Sequence, residues 1–153
     1  MEKFIKGKVY AISISKRKGV PKLNIDEAVL IENFGIKGDV HAGPGERQVS
    51  LLAIESIEKM RKKGLINLRP GAFAENITTE NIDLLKLEKG DILRINDVEI
   101  EITKIGKECH KKCGIFYKVG DCVMPKEGVF GVVVKGGKIK KGDEIIVIKK
   151  NKF

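Results

Sequence analysis

The densest chemistry in the chain lies in the run Gly106-Lys107-Glu108-Cys109-His110-Lys111-Lys112-Cys113, with Cys122 nine residues further on. The thiolate is the reactive form of cysteine, and nearby cations favour it. Cys109 has Lys107 two residues before it, His110 beside it, and Lys111 and Lys112 after it. That makes Cys109 the best candidate for a nucleophilic, catalytic thiol; a cysteine on a solvated lysine loop is the plain alternative. Cys109, His110, Cys113 and Cys122 are also zinc-ligand types. Their spacing, C-H-x2-C-x8-C, departs from the C-x2-C knuckle of ordinary fingers, so Cys113 and Cys122 are the weaker metal candidates.

A second constellation is Gly35-Ile36-Lys37-Gly38-Asp39-Val40-His41-Ala42-Gly43, continuing to Arg47-Gln48-Val49-Ser50. Glycines let backbone N–H groups turn inward as an anion nest. Lys37, His41 and Arg47 add cationic donors, and Arg47 can grip an oxyanion bidentately. The loop lacks the Gly-Lys-Ser/Thr ending of a nucleotide P-loop. The alternative is a long surface loop whose glycines serve only turns. A third point is Glu75-Asn76, which either orients a polar ligand or caps a strand end. Ser50 reads as a helix cap rather than a nucleophile, since the chain holds only two histidines and shows no Ser-His-Asp order. Asp121, Met124 and Pro125 read as turn and packing residues.

The elements that must position these residues are mostly short strands. Val9 to Ser15 alternates, with Tyr10, Ile12 and Ile14 on one side. Lys16 to Lys22 is a polar turn, Ala28 to Glu32 a short strand, Asn33 to Glu46 a glycine-rich loop without structure of its own, and Gln48 to Leu51 is extended. One helix spans Ala53 to Lys63, with Ala53, Ile54, Ile57 and Met60 on a core-facing stripe and Gly64 just past the end. Further strands are expected at Phe73 to Thr78, Asp91 to Ile95, Val98 to Lys104, Val129 to Val134 and Ile145 to Ile148. Asn96-Asp97 reads as a hairpin turn, and Gly136-Gly137 turns the chain. Lys89-Gly90-Asp91-Ile92 and Lys141-Gly142-Asp143-Glu144 share turn chemistry. Lys149 to Phe153 is expected to fray. Many short strands with one helix predict a mainly β domain, a barrel or a sandwich.

The chain has 153 residues, a length for one domain over residues 1–153. Its hydrophobic fraction of 42% allows a real core. Thirty basic against 21 acidic residues leave a net charge of +9, which favours an anionic partner. Only Arg17, Arg47, Arg61, Arg69 and Arg94 are arginines, aromatic residues are 5%, and there is no Trp, so nucleic-acid readout is disfavoured. There is no targeting pattern and no apolar run near the ~18 residues of a membrane span. An odd cysteine count of three does not suit a secreted disulfide framework. The expectation is a cytoplasmic protein with no membrane partner.

Taken together, Gly35–Gly43 (GIKGDVHAG), Arg47–Leu52 (RQVSLL), Gly71–Ile77 (GAFAENI), Gly106–His110 (GKECH), Gly120–Phe130 (GDCVMPKEGVF) and Gly136–Ile145 (GGKIKKGDEI) resemble a MOSC domain, the family named for the C-terminal domain of molybdenum cofactor sulfurase. Each string is weak alone; their order and separation make the combination specific over nearly the whole chain. The resemblance implies a mostly β, barrel-like fold with one or two short helices, in a small stand-alone member. It implies work with the molybdenum cofactor, a molybdopterin with an anionic phosphate. It matches Cys109 to a reactive cysteine that carries a persulfide or contacts molybdenum. The resemblance implies Lys37, His41, Arg47, Asn76, Lys107 and His110 as the cofactor-binding set. The chain departs from many members at Val40, where Arg is common, which removes one cation.

No cysteine desulfurase domain and no pyridoxal phosphate site are expected in this chain. A separate cysteine desulfurase would therefore donate sulfur, and a molybdoenzyme or cofactor-biosynthesis protein would receive it. Three functions follow: a sulfurtransferase-like carrier with a persulfide on Cys109; a cofactor-binding module, or a reductase of N-hydroxylated compounds, with Cys109 ligating molybdenum; and a structural zinc-binding interaction domain.

Overall fold

The computed structural model describes residues 5–17, 22–64, 68–106 and 128–149. Among the described residues, eleven strands and one α-helix follow in chain order: β1 (Ile5–Ile14), β2 (Leu23–Ile25), β3 (Glu27–Ile31), β4 (Gly35–Ile36), β5 (Val49–Ala53), α1 (Ile54–Lys62), β6 (Ile77–Glu80), β7 (Ile92–Ile95), β8 (Val98–Ile105), β9 (Val129–Lys135), β10 (Gly137–Lys140) and β11 (Glu144–Ile148). A short 3-10 helix, Leu84–Lys86, lies between β6 and β7.

Seven strands close a barrel in the order β1-β6-β5-β9-β8-β7-β11, and β11 returns to pair with β1. The β5–β6 pair is parallel, with Leu51 opposite Ile77, whereas the other pairs in the ring are antiparallel. β2 extends the sheet beside β1, and β10, β3 and β4 form a separate three-stranded sheet. Closure satisfies backbone groups that an open sheet would leave at its edges.

Alternation fills the interior. In β8, Val98, Ile100 and Ile102 are buried while Glu99, Glu101 and Thr103 are half-exposed. With Val9, Ile12, Leu51, Ile77, Leu93, Ile95, Val133 and Val147 they belong to the main core. β5 is buried along its whole length. Its Val49, Leu51 and Ala53 face that core, while Leu52 joins Ile54, Ile57, Met60, Phe73 and Phe130 in a second cluster beneath α1. The helix is therefore a cover on the barrel wall, and its apolar stripe is packing, as the periodicity implies.

Several local expectations hold. Asn96 takes a left-handed backbone at the β7–β8 turn, and Gly64 does the same just past α1. The two Gly-Asp turns are alike: Asp91 accepts a backbone hydrogen bond from Glu88, and Asp143 accepts one from Lys140.

Others are corrected. Tyr10 does not share a buried side with Ile12. An irregularity between Val9 and Ala11 in the pairing with β6 shifts the phase, so Val9 and Ile12 are buried and Tyr10 is 38% exposed. The stretch Asn33 to Glu46 contains strand β4 and is pinned by backbone bonds, among them Gly43 N–H to the Phe34 carbonyl and Val40 N–H to the Ser15 carbonyl. Phe73 to Glu75 is turn, and the strand begins at Ile77, because Ala74 takes a left-handed conformation. Ser50 does not cap α1; it sits inside β5, and Ala53 occupies the cap position. Lys149 is anchored rather than frayed, its ammonium 2.6 Å from the Asp91 carboxylate.

Leu51 is fully buried where the parallel and antiparallel pairings of β5 meet. Replacing it with Ala should cost about 2–5 kcal/mol of stability, since lost transfer energy and a residual cavity add. Denaturant unfolding of Leu51→Ala checks this; a loss below ~1 kcal/mol would mean that the barrel interior collapses around the deletion.

Candidate functional site

The site is built from the backbone outwards, beginning with a buried carboxylate. Glu75 is fully buried and accepts hydrogen bonds from Gly71 N–H at 2.8 Å, Phe73 N–H at 3.2 Å and the Thr78 hydroxyl at 2.9 Å. Burial pushes its carboxyl above the ordinary range, against the pull of those donors. Glu75 thus caps the turn before β6, the strand-end role that its sequence allowed.

That turn holds Lys22. The Lys22 N–H donates to the Gly71 carbonyl at 3.0 Å, and Arg69 donates to the Lys22 carbonyl at 3.1 Å. A Cβ on Gly71 would stand 2.5 Å from the Lys22 carbonyl oxygen, so only glycine allows this approach. The Lys22 side chain is only 1% exposed. Its ammonium donates to Asp39 Oδ1 at 2.6 Å and stands 2.8 Å from His41 Nδ1.

Asp39 is equally closed off. Its carboxylate accepts from Ser15 N–H at 3.0 Å and from His41 N–H at 3.3 Å. Burial alone would raise its pKa. The Lys22 ammonium, the Ser15 amide and the Asn76 side chain outweigh that and lower it.

Asn76 lies beneath, where it fastens three strands. Its side chain donates to the Ser13 carbonyl of β1 at 3.1 Å and accepts from both the N–H and the hydroxyl of Ser50 in β5. It also supports Asp39. These bonds engage the amide's donors and its acceptor inside the protein.

Above this layer, Val40, His41, Ala42, Gly43, Pro44, Gly45, Glu46 and Arg47 line an open cleft of about 470 Å³. Arg47 is exposed, and its guanidinium lies over the Phe130 ring, 5.4 Å from the centroid. Thr103 of β8 donates to the Glu46 carbonyl and ties the cleft wall to the barrel. Lys37 is exposed, but it is not one of the lining residues; its N–H bonds the Val29 carbonyl.

Of the sequence candidates, the structure brings His41 and Arg47 to one cleft, sets Asn76 below it and leaves Lys37 off its wall. Cys109, His110, Lys107, Cys113 and Cys122 lie outside the described residues. Among the described residues, no group of three or more His, Cys, Asp or Glu could hold a metal ion. Lys22 and Asp39 are the residues that sequence reasoning missed. Lys22 reads as one more lysine of a polar turn, and nothing local signals that its partner lies 17 residues on.

The MOSC domain family model matches residues 37–146. The chain belongs to the MOSC domain family. Among solved structures, it is similar to the YuaD protein of Bacillus subtilis, with a TM-score of 0.81 at 18% identity, covering 99% of this chain and 100% of that one. YiiM from Geobacillus stearothermophilus gives 0.72 at 16% identity, covering 94% and 76%. YiiM from Escherichia coli gives 0.66 at 18% identity, covering 99% and 72%. At such identities the likeness shows the fold. No curated protein matches the chain. MOSC domains are associated with proteins of the molybdenum cofactor, and the donor set of this cleft suits an anionic group. It offers a guanidinium and an imidazole beside the Glu46 carboxylate, and at Gly43 and Gly45 a Cβ would meet nothing within 4 Å. No described helix is long and apolar enough to cross a membrane.

Removing one partner of a buried ion pair leaves an uncompensated charge, which costs about 3–5 kcal/mol. Asp39→Asn should lose that much in denaturant unfolding. The pH dependence has a definite sign. Asp39 is held below its ordinary value of 3.8, so its contribution is complete above that pH and is lost as pH falls through the lower folded value. The acid limb of the wild-type stability curve should therefore lose its Asp39 component in the variant. Identical acid limbs would show that the pair does not govern acid stability.

Proposed function

We propose that this MOSC domain serves the molybdenum cofactor by carrying sulfur as a persulfide on Cys109. The observation that carries the reading is the cleft of His41 and Arg47 on a barrel whose strand β8 runs directly into the Cys109 segment. β8 ends at Ile105, and Gly106 N–H bonds the Gly128 carbonyl at 2.6 Å. Thr103, three residues earlier, is the residue bonded to the cleft wall. The anion cleft and the start of the GKECH run are therefore anchored to the same strand end.

In this reading the Cys109 thiolate attacks the terminal sulfur of a persulfide on a cysteine desulfurase. A sulfur–sulfur bond forms at Cys109 as the donor's own sulfur–sulfur bond breaks, and the donor cysteine leaves as thiolate. No net oxidation or reduction is needed. Lys107 and His110, flanking in sequence, favour the thiolate. Arg47 and His41 would hold the cofactor's phosphate or another of its oxygens, with Lys37 adding positive potential nearby. Bound there, the cofactor would supply a molybdenum centre as the sulfur acceptor. The downstream partner would be a molybdoenzyme or a cofactor-biosynthesis protein. The buried layer of Lys22, Asp39 and Asn76 holds the cleft in shape and touches no ligand in this scheme.

Intact mass spectrometry tests the reading. Anaerobically purified protein, incubated with a cysteine desulfurase and cysteine, should gain one sulfur, mapped to the Cys109 peptide. Cys109→Ser should show no gain while unfolding like the wild type. A gain that survives the substitution, or none in the wild type, would overturn the carrier role. Molybdenum and pterin bound to the wild type in that case would leave a cofactor-binding module.

A further inference from the structure

A buried lysine is an expensive way to fill space, and Lys22 does more than neutralise Asp39. A lysine ammonium has three N–H donors and no lone pair. Asp39 Oδ1 takes one of them at 2.6 Å, and His41 Nδ1 stands 2.8 Å from the same nitrogen. The pair is almost wholly removed from water, at 1% and 0% side-chain exposure. Beside a carboxylate at that distance, with Asp39 also accepting from Ser15 N–H, the ammonium is the form that offers a donor to both Asp39 and His41.

We infer that Lys22 is a positioning residue that fixes the tautomer of His41. Nδ1 accepts from the ammonium, so the single proton of the neutral ring sits on Nε2. A second ring proton would have to go on Nδ1, against the ammonium. His41, a lining residue of the cleft, thus carries its ring proton on Nε2, and among the described lining residues the positive charge is that of Arg47.

This arrangement is the reverse of a metal-binding histidine. A histidine that ligates through one ring nitrogen usually donates its other N–H to a carboxylate or carbonyl, which leaves the ligating nitrogen bare. Here the buried partner of Nδ1 is itself a donor. The class of ligand group that suits His41 is thus an acceptor oxygen, such as a phosphate or carbonyl oxygen, and not a metal ion. Backbone geometry reinforces the setting, because His41 N–H is bonded to the other oxygen of the same Asp39.

The assignment of that oxygen to the cofactor rests on the proposed function; the tautomer does not. Long-range proton–nitrogen NMR of uniformly nitrogen-15-labelled protein, near neutral pH and without ligand, reads the tautomer directly. The chain has only two histidines, so the ring signals absent from His41→Gln are those of His41. The expected wild-type pattern is a bare, pyridine-like Nδ1 and a protonated, pyrrole-like Nε2. Lys22→Met should abolish that single pattern and give exchange between tautomers. If Lys22→Met fails to fold with Asp39 unpaired, the double variant Lys22→Met/Asp39→Leu removes the charge pair together, and a folded sample should show the same loss. A proton on Nδ1 or a doubly protonated ring in the wild type, or an unchanged pattern in a folded variant without Lys22, would overturn the inference. A wild type with the expected tautomer that takes up no molybdopterin would instead count against the cofactor reading alone.

Discussion

Everything near the cleft depends on the ion pair between Lys22 and Asp39. Two charges removed from water are costly, and their attraction repays that cost only with close geometry and full hydrogen bonding. Both conditions are met: the contact is 2.6 Å, and Asp39 is further supported by Ser15 N–H and His41 N–H. The pair joins segments that no local rule connects. Lys22 precedes β2, Asp39 follows β4, and Ser15 follows β1. A purely apolar contact at the same place would fill the space without orienting a ring. The ion pair has directions, and those directions are what His41 inherits.

The support runs in layers, each making the next one rigid. Glu75 shapes the turn that offers the Gly71 carbonyl to Lys22. Asn76 binds β1, β5 and β6 together below Asp39. β5 is held on both faces, by the barrel core on one side and by α1 and Phe130 on the other. Phe130 is then also the surface on which Arg47 rests. One aromatic residue thus closes the cluster beneath the helix and backs the cleft's guanidinium. The exposed His41 and Arg47 are thus each backed by residues that the fold buries.

Periodicity made most of the barrel legible. The alternation of Val98, Ile100 and Ile102 with polar residues, the Asn96-Asp97 turn and the stripe of α1 each state their structure within a few residues. The barrel's closure does not, because the pairing of β1 with β11 is a contact between opposite ends of the described chain. The site was half legible. His41 and Arg47 stand out by residue type in a glycine-rich stretch, and the family motifs point to the same segment. Lys22 and Asp39 do not stand out. In a chain with 30 basic residues another lysine carries no signal, and burial of a charge is decided by tertiary partners. Ser50 misled for a related reason: a serine three residues before a helix looks like a cap, but the strand continues to Ala53 and Ser50 is spent on Asn76.

The closing pair of the barrel also joins strands far apart in sequence. Ile5 faces Val147 and Lys8 faces Glu144 across β1 and β11. β2 and β6 can pair with β1 before the last strand is made, and only the Ile5–Lys8 stretch of β1 waits for β11. Such long-range pairing charges the entropy of a large loop before any contact repays it, which puts folding towards the slow, millisecond-to-second end for small domains. Until β11 arrives, the Ile5–Lys8 stretch of β1 lacks that neighbour and is open to a strand from another molecule. Lys6 and Lys8 lie in that stretch, and charged side chains on an open strand disfavour pairing with another chain.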